Sequence, residues 1–190
     1  HEGIDTELVS PKPDAVFSYK GLKLTKADNV VTYVARNLEP YRGFHVFMRA
    51  LPKILADNPN VRIVIVGGDA VSYGMHPKDA PHWRAKLLKE VGRQLDPARV
   101  HFVGRLPYAD YLALLQVSSV HVYLTYPFVL SWSLLEAMAA GCAVIGSRTA
   151  PVEEVIRHNE NGLLVDFFDT AEIAAMVGEV LNHSQNYQAM

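Results

Sequence analysis

Cysteine is almost missing from this chain: Cys142 is the single one in 190 residues. No internal disulfide is possible. Its neighbours Gly141, Ala143, Val144 and Ile145 are those of a buried thiol in a reducing compartment, so the expected location is the cytoplasm. A basic excess is also absent, with 18 Lys and Arg against 20 Asp and Glu, a formal net charge of -2. That balance excludes a nucleic-acid platform, which needs a basic face. No apolar run approaches the roughly 18 residues needed to span a bilayer, and no charged-then-apolar leader opens the chain. The eight histidines never fall at HxxxH or HExxH spacing, and no Asp-x-Asp pair occurs, so neither a zinc site nor an acidic metal clasp is expected. The nucleotide fingerprints GxGxxG and GxxxxGK[ST] are missing as well, which argues against a dinucleotide dehydrogenase or a P-loop NTPase.

What is present is a globular composition, 49% hydrophobic and 20% charged, at the length of one domain. From residue 30 onward, short β-branched runs alternate with segments of helical period. The runs cover 30–35, 61–66, 100–103, 117–124, 143–147 and 163–166, and each is nearly all apolar, as in parallel strands covered on both faces. Between them, 43–55 carries Phe44, Phe47, Leu51 and Ile54 on one stripe. Further helices are expected over 83–95, 108–115, 132–140, 151–157 and 170–181. This alternation predicts an α/β fold, a Rossmann-like doubly wound parallel sheet of about six strands with helices on both faces, and a ligand crevice at the strand C-termini. Residues 1–29, rich in Pro, Gly, Lys and Asp, are expected to be a linker and lead-in from upstream sequence, with residues 30–190 forming the domain.

Three loops stand out, 36–43, 67–80 and 125–131, the second being longer than a usual βα link. The first strand ends in Arg36, and Arg42 precedes the Gly43 that opens the next helix. Two guanidinium forks at one strand end suit a diphosphate and its neutralisation as a leaving group. The alternative is a pair of solvated arginines, one paired with Glu39. After the fourth run, the chain enters a helix through Val129, Leu130 and Ser131, whose N–H groups form a candidate anion site. Glu136 lies inside an otherwise apolar helix and needs partners, which sugar hydroxyls would supply. A capping box Ser133-x-x-Glu136 is the competing explanation. Tyr73, Trp83 and Phe102 read as core or loop-packing residues.

Together these features resemble the family-four, group 1 glycosyltransferases, whose GT-B architecture faces two Rossmann-like domains across a cleft. His1-Glu-Gly-Ile-Asp5 resembles the family's interdomain linker, Val-Gly-Arg105-Leu106-Pro its base-holding turn, and Asn161-Gly-Leu-Leu-Val the stretch before its last strand. Leu-Leu-Glu136-Ala-Met-Ala-Ala-Gly-Cys-Ala-Val-Ile-Gly-Ser resembles the second half of its Glu, seven residues, Glu motif. Phe128 stands where the first glutamate, the contact to the transferred sugar, would be. Ala35 replaces the usual Gly, and Arg42 stands for a Lys one position earlier.

The resemblance implies the C-terminal donor-binding half of a GT-B enzyme, the N-terminal acceptor domain being absent from this chain. The implied reaction is metal-independent, retaining transfer from a UDP or GDP sugar to an acceptor such as a cell-surface polysaccharide or lipid-linked glycan. Arg36 and Arg42 would stabilise the leaving group. The donor contacts would be Arg36, Arg42, Arg105, Leu106, Val129, Leu130, Ser131 and Glu136. No cofactor is expected, the nucleotide sugar being a substrate, and any membrane contact would be peripheral, at the inner face, through the missing half. A GT-B sugar-nucleotide epimerase and a non-catalytic nucleotide-binding module are the alternatives.

Overall fold

The structure is a computed structural model that describes residues 3–126 and 129–187. Six parallel strands form the central sheet: β3 (Val30–Asn37), β4 (Arg62–Gly68), β5 (Val100–Gly104), β6 (Val120–Tyr123), β7 (Ala143–Ser147) and β8 (Leu163–Val165). Their order across the sheet is β5-β4-β3-β6-β7-β8. Each of the six apolar runs is a strand, because a parallel strand buried on both faces carries side chains from both sides into apolar layers. On one face, alternate strand residues such as Val31, Tyr33, Ile63, Val122 and Ile145 pack under α1 (Phe44–Asp57), α2 (Trp83–Val91) and α6 (Thr170–Asn182). On the other, Val144 and Leu164 meet α3 (Tyr108–Val117), α4 (Trp132–Ala139) and the short α5 (Ala150–Glu153). The fold is therefore the doubly wound α/β arrangement expected of one half of a GT-B molecule.

The boundaries shift where a single run serves two elements. The stretch 117–124 was expected to be all strand, but Val117 is the last residue of α3 and the strand begins only at Val120. Ser118 takes an extended conformation (φ -65, ψ 130) and ends the helix, so apolar residues flank a break that hydrophobicity alone does not mark. Trp83 and Phe102 pack partly buried against the core, as expected.

A larger difference lies in the lead-in. Residues 16–25 form an antiparallel hairpin of β1 (Val16–Tyr19) and β2 (Leu22–Thr25). Its two-residue turn, Lys20-Gly21, has φ 44 and φ 87, the positive-φ geometry that matches strand twist in a tight hairpin. Phe17 and Leu24 bury completely in one cluster with Leu114 and Val117 of α3 and Val64, Val66 and Val103 of the sheet. Each strand is only four residues long and fully buries a single one, too short a pattern to stand out from a Pro- and Lys-rich segment. The chain upstream of residue 30 thus adds a covering layer.

Within the sheet, one polar cluster is fully buried. His121 on β6 faces Thr32 of β3, with Nδ1 2.9 Å from Thr32 Oγ1, and that hydroxyl lies 2.8 Å from Ser118 Oγ. Burial pulls the His121 pKa down to about 4; His45, partly buried beside Arg49, is lowered to about 4 for the same leading reason. A histidine depressed in the folded state binds a proton only on unfolding, so its contribution is complete above pH 6.5 and is lost as pH falls from 6.5 toward 4. For His121 alone that loss amounts to about 2 to 3 kcal/mol. Urea unfolding midpoints should fall across this window, and His121→Asn should make the fall shallower. A midpoint independent of pH there would contradict the buried neutral histidine.

Candidate functional site

Strand order reverses between β3 and β6, and the crevice sits beyond the C-termini of those two strands. After β3 the chain runs through Leu38 and Glu39 into a 3-10 turn, Pro40–Arg42, and then α1. Gly43 joins turn to helix at φ 72. A Cβ there would lie 2.3 Å from Leu124 Cβ, so both the left-handed backbone and the close approach of the β6 exit demand glycine. The buried Tyr33 hydroxyl donates to the Arg42 carbonyl at 2.6 Å and ties the turn to the sheet.

Arg42 reaches across the crevice. Its Nη1 donates to Val129 O at 3.0 Å and Thr125 Oγ1 at 3.2 Å, and its guanidinium stands 5.8 Å from the Tyr73 ring centre. Arg36 is exposed at the end of β3 and shares with Arg42, Tyr73, Tyr123 and Ser131 the wall of a cavity of about 140 Å³. The two arginines that the sequence pointed to therefore do flank one crevice. Beside it lies a second depression of about 270 Å³, bordered by Arg36, Arg105, Leu106 and Tyr111. Arg105 donates to Asn37 Oδ1 at 2.9 Å, over Gly68, where a Cβ would come within 2.9 Å of the Arg105 Nε.

Glu39 has a role that sequence reasoning missed. It is 1% exposed, and its carboxylate accepts the successive backbone N–H groups of Ser72, Tyr73 and Gly74 at 3.1 to 3.3 Å. The long loop after β4 is thereby anchored with Tyr73 over Arg42. Tyr73, expected as a core or loop-packing residue, is 44% exposed and lines the cavity. The spacing from Glu39 to residue 72 held no local signal, since the contact joins two loops across the sheet end.

At the β6 exit the chain itself engages one of the amides expected to meet an anion. The Ser131 N–H, one of three amides expected to meet an anion, donates to the Tyr123 hydroxyl at 2.7 Å. Val129 offers its carbonyl to Arg42, and Leu130 packs against the apolar layer of α3 and α4. The loop is thus arranged first around its own side chains. Phe128 lies outside the described residues, as do His1 and Glu2 at the linker-like start.

Glu136 is buried one turn into α4, whose N-cap is Ser131. The capping box is excluded, because a helix starting at Trp132 puts Glu136 beyond the third helical position. The carboxylate instead accepts two phenol hydroxyls from α3, Tyr108 at 2.9 Å and Tyr111 at 2.7 Å. Burial first, and then the carboxylate, push both phenols to higher pKa. The partners that a buried carboxylate requires are thus tyrosines of the neighbouring helix, which no local pattern around Glu136 announced.

Comparison with known proteins adds a family to this geometry. The family model for glycosyl transferases group 1 matches residues 18–190. A D-inositol 3-phosphate glycosyltransferase of Acidothermus cellulolyticus is 27% identical over 185 residues, 95% of this chain and 39% of that protein. The chain thus spans about two fifths of the length of such curated relatives. Among solved structures, Anabaena HepE in complex with UDP-glucose superposes with TM-score 0.78 at 21% identity, covering 100% of this chain and 49% of that one. The C-terminal domain of a glycosyl transferase group 1 family protein, LpcC from Francisella tularensis, superposes with TM-score 0.79 at 19% identity, covering 98% of this chain and 92% of that one. Identities at this level speak to the fold, and that fold is shared. No helix among the described residues is long and apolar enough to cross a membrane.

The turn that presents Arg42 yields a direct test. Gly43→Ala should destabilise the chain by about 2 kcal/mol or more, through the left-handed backbone and the Leu124 clash, read as a lower urea midpoint. An unchanged midpoint would mean that the turn is not built as described.

Proposed function

Because this chain belongs to the glycosyl transferases group 1 family, we propose that it is the donor-binding domain of a glycosyltransferase acting on a nucleotide diphosphate sugar. The observation that carries the reading is the placement of Arg36 and Arg42 on one crevice at the reversal of strand order. In sugar transfer, the bond between the sugar anomeric carbon and the β-phosphate oxygen breaks, and the diphosphate leaves with the electron pair. Two guanidinium groups on one crevice stabilise that developing charge without a metal ion. Arg42 is held by Val129 and Thr125, so little reorganisation is needed when the charge appears.

Arg105 and Leu106 border the adjoining depression, where the nucleoside would lie, and Glu136 is the ribose contact. The transfer is retaining. The acceptor, a hydroxyl-bearing glycan or polyol, is held by sequence outside this chain. An epimerase would need an acid and a base facing the sugar. Of the buried carboxylates near the crevice, Glu39 is committed to loop amides and Glu136 is assigned to the ribose, so the transferase reading is favoured.

Titrating the chain calorimetrically with UDP, GDP and ADP should reveal binding of one of them. In the full-length protein Arg36→Ala should cut turnover by roughly a hundredfold or more, as loss of a donor aimed at developing charge does. Unchanged kinetics would remove Arg36 from the leaving-group role.

A further inference from the structure

The Glu136 carboxylate already holds two hydroxyl groups supplied by the chain. Tyr108 and Tyr111 stand three residues apart on the first turn of α3, on one helix face, with ring centres 5.9 Å apart. Tyr108 donates to Oε1 and Tyr111 to Oε2. A phenol O–H meets a carboxylate as a sugar O–H does, by a short charge-assisted hydrogen bond. Their surroundings differ. Tyr111 is 9% exposed and lines the depression beside Arg36, whereas Tyr108 is 50% exposed.

Releasing Tyr111 would strand a buried hydroxyl with no water to replace its partner, which is costly; releasing Tyr108 hands its hydroxyl to solvent, which is not. The two bonds are therefore unequal in how readily they exchange. Building on the donor reading above, we propose that Tyr108 is an internal stand-in for a ribose hydroxyl at Glu136 Oε1, displaced when the nucleotide binds. Tyr111 is a positioning residue that keeps the carboxylate aimed throughout. Tyr108 then acts as a competitor that lowers affinity for ribonucleotides alone, and it sets how strongly the site prefers a ribose over a sugar lacking those hydroxyls.

The test uses whichever of UDP, GDP and ADP binds the chain, together with its 2′,3′-dideoxy analogue, titrated by calorimetry into wild type, Tyr108→Phe, Tyr111→Phe and Glu136→Gln. Tyr108→Phe keeps the exposed ring and should bind the ribonucleotide roughly threefold to tenfold more tightly, the size of one hydrogen bond released from competition. Binding of the dideoxy analogue should not change. Tyr111→Phe should weaken the ribonucleotide more than the analogue. The proposal is overturned if Tyr108→Phe moves both nucleotides equally, weakens the ribonucleotide, or leaves it unchanged. Glu136→Gln separates the two levels. If its ribose preference is intact, the ribose contact itself is wrong. If that preference is lost while Tyr108→Phe is silent, the Tyr108 role alone fails. Binding of none of the three nucleotides would overturn the donor reading.

Discussion

The connections that leave β3 and β6, neighbours in the sheet, turn to opposite faces. The first turns through Pro40–Arg42 into α1, and the second turns into α4 on the other side. The gap between them is lined by these two loops and by Tyr73 of the loop after β4, and the parallel order of the sheet makes that gap unavoidable. At Gly43 the first loop lies close against Leu124 of the second. Around this opening stand Arg36, Arg42, Tyr123 and Ser131.

The polar groups around the opening are held by one another. Glu39 fastens the 72–74 loop, Tyr123 takes the Ser131 amide, Arg42 grips the β6 exit, and two tyrosines hold Glu136. Buried polar groups must be paired to be tolerated, and these pairings also fix side-chain directions before any substrate arrives. The Arg42 guanidinium, for one, is aimed by an oxygen on a different loop. A preorganised charge needs no rearrangement as negative charge develops, which is the physical link between this packing and the proposed leaving-group chemistry. The same pairings bear on exchange: Ser131 and Glu136 meet a ligand only by sharing or surrendering an existing partner.

The six core strands were legible because a parallel strand buried on both faces leaves an unbroken apolar run, and Arg36 and Arg42 were legible because they punctuate such a run. The hairpin of residues 16–25 was not, because each of its four-residue strands fully buries one side chain, Phe17 or Leu24, against α3 and the sheet. Glu136 was recognisable as a buried charge in need of donors. Its actual donors lie 25 and 28 residues away on another helix, and Glu39 meets amides 33 to 35 residues away. Such separations carry no periodicity to read.

From the sequence alone follow the alternation of strand and helix, the doubly wound sheet, the family, and two arginines at a strand end, all properties of local pattern or of contiguous motifs. Tertiary structure alone decided that both arginines face one crevice, that Tyr73 and Glu39 belong to it, that the Ser131 amide is spoken for, and that Glu136 answers to Tyr108 and Tyr111. The division has one cause. Burial pattern is written along the chain, while hydrogen-bond partnership is settled only when distant segments are packed and each buried polar group takes the nearest donor or acceptor.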